Sequence, residues 1–188
     1  MNIEKSPYQA KIKLFLDGAE RAAMLEAASN PKIKGFTTNP SLMRKGGVTN
    51  YPEFCKEMLG KLGGKPVSFE VFADDLPGMK RQALEIASWD RGDKSVYVKI
   101  PYCNTRGEPT LSLVHELAHS GVQLNITAIY TLDQTRDVVE ALKGGAPSIV
   151  SLFAGRVADS GRDPMPLMRE AARMCDEADP SGRMELLW

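Results

Sequence analysis

Short apolar, β-branched runs alternate strictly with longer stretches of helical periodicity, and nothing else in the chain constrains its fold as much. The runs that read as strands are 13–17, 35–39, 67–73, 96–101, 122–130 and 148–154, with a stub at 184–188. Between them lie segments of helical pattern at 19–29, 51–62, 77–87, 111–120, 132–143 and 166–177. Turn chemistry separates the two kinds of element, as in Gly63-Gly64-Lys65-Pro66 and Gly144-Gly145-Ala146-Pro147. Strict β-α alternation implies a parallel sheet with helices outside it. Polar residues at corresponding strand positions, Asp17, Asn39, Glu70, Lys99, Asn125 and Ser151, are 22, 31, 29, 26 and 26 residues apart. Each step fits one strand plus one crossover helix, roughly 30 residues. No G-x-G-x-x-G or G-x-x-x-x-G-K-[ST] follows any strand, so a nucleotide-binding doubly wound sheet has only its topology in its favour.

A (β/α) barrel is the better reading, yet such barrels usually need about 250 residues and about 200 at the low end. The chain has 188. Six βα units and the start of a seventh strand are therefore expected, an incomplete barrel.

Splitting each run by strand alternation separates two faces. Val67, Phe69 and Val71 oppose Ser68, Glu70 and Phe72; Val96, Val98 and Ile100 oppose Tyr97 and Lys99. Val122, Leu124 and Ile126 oppose Gln123, Asn125 and Thr127, and Val150 and Leu152 oppose Ile149, Ser151 and Phe153. One face is aliphatic and the other carries a polar group near the C-terminal end of nearly every strand. A half-solvated antiparallel sheet could show the same alternation. The helical spacers argue against hairpins, and polar strand ends in a barrel converge where barrel active sites lie. Lys99, in Val98-Lys99-Ile100-Pro101, is the centre of this pattern. Desolvation favours the neutral amine, the form that attacks a carbonyl. The alternative is a structural ion pair with Glu70. The surrounding polar strand ends favour the Schiff-base role.

Composition narrows the class further. Lys+Arg 24 balance Asp+Glu 24, which leaves no basic excess for bulk binding of nucleic acid or an anionic membrane. No apolar run approaches the roughly 20 residues of a membrane span. Glu4, Lys5, Lys11 and Lys13 interrupt any signal-peptide core in the first 13 residues. Cys55, Cys103 and Cys175 are odd in number and irregularly spaced, which points to reduced thiols and a cytoplasmic protein. Composition leaves the oligomeric state open, a homo-oligomer included.

The strand ends resemble the successive strands of transaldolases. The motifs are Leu14-Phe15-Leu16-Asp17, Gly35-Phe36-Thr37-Thr38-Asn39-Pro40-Ser41-Leu42, Phe69-Glu70-Val71 and Val98-Lys99-Ile100-Pro101, then Leu124-Asn125-Ile126-Thr127 and Ser151-Leu152-Phe153-Ala154-Gly155-Arg156. The similarity runs from about Leu14 to the last residue, in order, and is closest to the small single-domain transaldolases and their fructose-6-phosphate aldolase relatives. The resemblance implies a (β/α)8 TIM barrel of the class I aldolase type and a mechanism with no metal or organic cofactor. The implied substrates are sugar phosphates. On this resemblance a ketose phosphate such as sedoheptulose 7-phosphate or fructose 6-phosphate would form an imine with Lys99, and Asp17 would take the C4 hydroxyl proton as the C3–C4 bond breaks. Glu70 would move protons through a water held by Thr127. Asn39, Asn125 and Ser151 would hold the retained dihydroxyacetone unit, and Arg156 would bind phosphate, as suits a guanidinium. Glu70, Asn125 and Phe153 match the transferase pattern, whereas the aldolases have Gln in the first place and Tyr in the last. Gly18 departs from the family, where a small hydroxyl residue is commoner.

His115-Glu116-Leu117-Ala118-His119 matches H-E-x-x-H. At 100° per residue Leu111, Val114, Leu117 and Ala118 form the buried stripe and Glu116 points away from it. A third ligand would have to be a carboxylate such as Glu140, so a zinc hydrolase is not the favoured reading. At the other end, Leu186-Leu187-Trp188 reads as the opening of a seventh strand. In the family that strand supplies a Ser and a second phosphate-binding Arg, and an eighth closes the barrel. The sequence is therefore expected to be a fragment of a longer protein, weakly active alone. A catalytically silent scaffold that binds sugar phosphate or a partner, and an aldolase-type lyase, are the competing expectations.

Overall fold

The computed structural model describes residues 12–188, so most of the N-terminal stretch read above for targeting signals lies outside the described residues. The chain divides at Val67 into two compact units.

The first unit, described from residue 12, holds β1 (Leu14–Asp17), α1 (Arg21–Ser29), β2 (Ile33–Thr37), α2 (Pro40–Lys45) and α3 (Tyr51–Lys61). β1 and β2 pair in parallel, with Phe15 opposite Gly35 and Asp17 opposite Thr37. A Cβ at Gly35 would come within 2.3 Å of the Phe15 ring, so a larger residue there needs that ring to move. The core of this unit is Met24, Phe36, Met43, Phe54, Met58 and Leu62, all nearly or fully buried. Strand 35–39 is corrected to Ile33–Thr37, and the short helix α2 follows it at once. Asn39 accordingly sits at the head of a helix, not on a strand; its side chain accepts the Leu42 N–H, with Pro40 in the first turn. An N-cap amide followed by proline is the sequence signal for that start.

The second unit carries β3 (Val67–Glu70), whose first residue closes the first unit. It continues with α4 (Leu76–Ala87), β4 (Val96–Pro101), α5 (Leu111–His119), β5 (Leu124–Ile129) and α6 (Leu132–Leu142). After these come β6 (Ser148–Leu152), α7 (Ala154–Asp159), α8 (Met165–Ala178) and β7 (Met184–Leu187). The strands follow one another in chain order from β3 to β7, with β4 through β7 paired in parallel. Parallel strands laid down in chain order, each followed by a helix, are the singly wound α/β topology of a TIM barrel. With seven strands among the described residues, the chain is an incomplete form of that fold.

The aliphatic face read from the sequence is the packed one: Phe69, Val98, Ile100, Leu124, Ile126 and Val150 have no exposed surface. α4 packs on β4, α5 on β5 and α6 on both β5 and β6. Asp75 caps α4 by accepting the Gly78 N–H, and Thr131 and Gln134 form a reciprocal capping box on α6. Along α5 the buried stripe is Leu113, Val114, Leu117 and Ala118. Leu113 replaces the expected Leu111, which lies half-buried in the first turn. The strand expected at 148–154 stops at Leu152, because Ala154 already belongs to α7.

Candidate active site

The second unit brings five of the sequence-selected polar residues to one region of its sheet. Lys99 sits in the middle of β4 with 7% of its surface exposed. The Val71 N–H donates to the Lys99 carbonyl at 3.1 Å, which sets Glu70, the last residue of β3, beside it. The Lys99 Nζ lies 3.3 Å from Glu70 Oε2. The ion pair foreseen as an alternative to catalysis is thus realised. A carboxylate at that distance is also where a base must stand to relieve an ammonium of its proton.

On the other side of β4, Asn125 pairs directly with Lys99 in the strand register. Asn125 has no exposed surface and donates from Nδ2 to Ser68 Oγ at 2.9 Å. Its Oδ1 and the Thr127 Oγ1, two residues along the same strand, are buried without a hydrogen-bond partner. A buried acceptor left unsatisfied costs about 1–3 kcal/mol, and in a folded protein it calls for an explanation. Here two such atoms stand next to the only lysine among the described buried residues.

The backbone is irregular at the same place. Between Ile126 and Ile129 the β5–β6 register shifts, so Thr127 and Ala128 together oppose Ser151. Ala128 adopts φ 60°, the left-handed region that non-glycine residues rarely occupy. Bulges and strained residues of this kind gather at sites of function. Ser151 is buried at the matching level of β6. Phe153 follows at the head of α7, its ring edge-on to Tyr130 with centroids 5.4 Å apart.

Arg156 does not join this cluster. It lies exposed on α7, and its Nη1 is 3.3 Å from Asp159 Oδ2, one turn along the same helix. In the first unit, Asp17 ends β1 exposed and accepts the Thr37 hydroxyl at 2.7 Å. Asn39 spends its Oδ1 on the Leu42 N–H. Three residues in contact with these carry no role in the sequence reading: Ser68 beside Asn125, Thr37 beside Asp17 and Tyr130 beside Phe153. Ser68 was legible, since it shares a strand face with Glu70. Thr37 and Tyr130 are visible only through their contacts.

The loops leaving the strands are held by side chains from their own helices and neighbours. Gln82 Oε1 accepts the Phe72 and Ala73 N–H groups at 2.7 and 2.8 Å. Asp74 accepts both the N–H and the hydroxyl of Thr105 on the next loop, and these bonds hold its carboxyl below the usual range. Gln134 Oε1 takes the N–H groups of Tyr130 and Thr131.

The residues of H-E-x-x-H are engaged elsewhere. His115 and His119 stack with centroids 4.0 Å apart, the His119 Nδ1 lies against the His115 carbonyl, and Glu116 pairs with Lys80 of α4. His115 and Glu140 line one groove of about 510 Å³ between α5 and α6, and Glu140 is 3.9 Å from Lys143. A second pocket, of about 410 Å³, lies at the N-terminal ends of β4 and β5, away from Lys99. Burial pushes the Cys55 thiol far above the ordinary thiol range and the Cys175 thiol up to about 12.

Comparison with known proteins gives the family of the chain. Residues 14–185 match the model of the family described as transaldolase/fructose-6-phosphate aldolase. The chain is 32% identical over 166 residues to a "Probable transaldolase" of Dehalococcoides mccartyi, covering 88% of this chain and 72% of that protein. It is 35% identical over 165 residues to one of Heliobacterium modesticaldum, covering 88% and 71%. A third, from Roseiflexus sp., is 36% identical over 163 residues, covering 87% and 70%. No helix among the described residues is long and apolar enough to cross a membrane. With a family match that runs almost from end to end and relatives this similar, the chain belongs to the transaldolase/fructose-6-phosphate aldolase family.

Proposed function

We propose that the protein is a transaldolase that moves a dihydroxyacetone unit between sugar phosphates through an imine on Lys99. The observation that carries this reading is the buried Lys99 amine at 3.3 Å from Glu70, beside two unpartnered buried acceptors. In the first step the amine, freed of its extra proton by Glu70, attacks the C2 carbonyl of a ketose such as fructose 6-phosphate or sedoheptulose 7-phosphate. Loss of water from the carbinolamine gives the imine, and Glu70 returns a proton to the departing hydroxyl through a water on Thr127. Cleavage of C3–C4 releases an aldose phosphate and leaves the three-carbon unit on Lys99 as an enamine. That enamine adds to an acceptor aldehyde, and hydrolysis then frees the new ketose. Asn125 and Ser151 hold hydroxyls of the retained unit, and Phe153 bounds it. Asp17 as the base at the C4 hydroxyl, Asn39 as a further hydroxyl ligand and Arg156 as the phosphate ligand enter this reading from sequence resemblance.

The whole chain is proposed as one catalytic domain, because the family match runs through both units without a break. Glu70 and Phe153 favour transfer over simple aldol cleavage. A cytoplasmic location and the sugar metabolism of pentose and hexose phosphates fit the reduced thiols and these substrates. Borohydride reduction in the presence of fructose 6-phosphate tests the reading. A three-carbon adduct on Lys99, absent in Lys99→Arg, is expected; no adduct in the wild type overturns the proposal. Free dihydroxyacetone accumulating without an acceptor would assign the lyase activity instead.

A further inference from the structure

Asn125 is the most buried polar side chain beside Lys99, and what fixes its amide lies on a different strand. Ser68 on β3 and Asn125 on β5 flank β4, the strand that carries Lys99. Strands two apart are separated by about 10 Å, so the two side chains reach each other only by both lying on the same face of the sheet. They meet at 2.9 Å, with Ser68 1% exposed and Asn125 fully buried. An amide has two different ends, a donor NH₂ and an acceptor oxygen, and a buried one can turn about its last bond unless something holds it. Here Nδ2 is committed to Ser68 Oγ at one end of the planar amide, which leaves Oδ1 at the other end, buried and unpartnered. An oxygen of that kind takes a hydrogen-bond donor. The Thr127 Oγ1, equally unpartnered, stands two residues on along the same strand.

We propose that Ser68 is a positioning residue: by accepting the Asn125 amide N–H it fixes Oδ1 as an acceptor for a hydroxyl of the ketose bound on Lys99. The inference rests on the Schiff-base reading above and adds to it the residue that decides which way Asn125 faces. Ser68 touches no reacting atom in this scheme; it acts through Asn125. Losing it frees the amide to turn and present NH₂ where a hydroxyl proton must be received, so the cost falls on the ketose donor and not on the aldehyde acceptor.

The test compares Ser68→Ala and Ser68→Cys, which remove or weaken the acceptor, with Ser68→Thr, which keeps it. Two readouts are taken: steady-state kinetics with fructose 6-phosphate as donor and erythrose 4-phosphate as acceptor, and solvent exchange of the Asn125 side-chain NH₂ by NMR. Ser68→Ala is expected to lower kcat/KM for the donor about tenfold with the acceptor KM unchanged, and to speed amide exchange, with Ser68→Thr restoring both. If Ser68→Ala fails to fold, the near-isosteric Ser68→Cys carries the comparison. Equal loss on donor and acceptor, or Ser68→Ala kinetics like the wild type, overturns the inference. If the wild type forms no borohydride-trapped adduct, the Schiff-base reading fails and the catalytic role of Ser68 with it. The NH₂ exchange then still decides whether Ser68 holds the amide.

Discussion

The two ends of β4 and β5 treat polar groups in opposite ways. At the N-terminal ends the polarity is closed on itself. Asp90 accepts the N–H groups of Gly92 and Lys94 on one oxygen and that of Val96 on the other, and Gln123 bonds the Lys94 and Val96 carbonyls at 2.9 and 3.0 Å. Even the unfavourable φ of 56° at Lys94 is clamped by these bonds. At the C-terminal ends Asn125 Oδ1 and Thr127 Oγ1 have no partner, and Ala128, with Lys94 one of two non-glycine residues of positive φ among the described residues, stands within the strand itself. Satisfied polarity locks a loop, whereas unsatisfied polarity beside strain marks a place kept ready for something else. The same division of a barrel into a stable end and a reactive end is general.

The largest expected effect breaks the reactive end alone. In the double variant Lys99→Met, Glu70→Gln the amine is gone and no buried charge is left behind. Transfer activity is expected to fall by at least about 10³-fold, since the covalent route is removed. Stability to urea is expected to stay within about 1 kcal/mol, because replacing both members of a buried ion pair by groups of similar volume is often neutral. Residual activity within tenfold of wild type would remove Lys99 from the chemistry. A large loss of stability would make the pair a structural clamp like Asp90, and the contrast between the ends would disappear.

The converse variant attacks the stable end. Asp90→Ala deletes three backbone hydrogen bonds to a half-buried carboxylate. It is expected to lower unfolding free energy by about 2 kcal/mol while donor kcat/KM stays within twofold. The pH dependence has a definite sign. Burial pushes the Asp90 carboxyl up, but the N–H groups of Gly92, Val96 and Lys94 outweigh it and hold the group below its ordinary value. The charged form is therefore favoured by folding. Its stabilisation is present above about pH 4, the value in an unfolded chain, and is lost as pH falls through the depressed folded value. Asp90→Asn should accordingly show a shallower acid-unfolding curve than the wild type. An unchanged acid slope, followed by circular dichroism from pH 5 to pH 2, would count against that assignment.

How much of this contrast was legible in the sequence differs between the ends. The strand carrying Lys99 is bounded as read, 96–101, because β-branched residues crowd between a polar turn and a proline. Alternation was enough to put Lys99, Asn125 and Ser151 on one face. It could not show the bulge, since Asn125-Ile126-Thr127-Ala128 alternates polar and apolar as a regular strand does, and only the pairing partner reveals the extra residue. Asn39 and Phe153 were assigned to strands and instead start the two helices the sequence did not reveal, α2 and α7, each six residues long. Six residues are under two turns, too short for a 3.6-residue period to declare itself. Asn39-Pro40 was nevertheless a readable helix start, hidden by the β-branched Thr37-Thr38 before it. Asp90 carries no signal in the sequence, because a carboxylate in a loop of Gly, Asp and Ser has the pattern of solvated turn chemistry and its partners come only with the fold.

The smallest effect concerns the bulge. Glycine inside a strand normally weakens it by roughly 0.5–1 kcal/mol relative to alanine, through greater freedom in the unfolded chain. At Ala128 the sign is expected to reverse or vanish. A non-glycine residue in the left-handed region carries a cost of about 1–2 kcal/mol that glycine does not, and Ala128 sits there at φ 60°. Ala128→Gly should therefore leave stability unchanged or raise it by up to about 1 kcal/mol, while Ala128→Val, β-branched and bulkier, should lower it. Because Thr127 is oriented by the same irregular pairing, Ala128→Val should also depress activity more than its stability loss explains. Urea midpoints of the two variants against wild type, together with donor kcat/KM, make the measurement. Should Ala128→Gly destabilise as glycine does in an ordinary strand, the left-handed conformation is not held at this position. The strain that sets the reactive end apart from the clamped one would then be absent, leaving the two unpartnered oxygens as the sole difference between them.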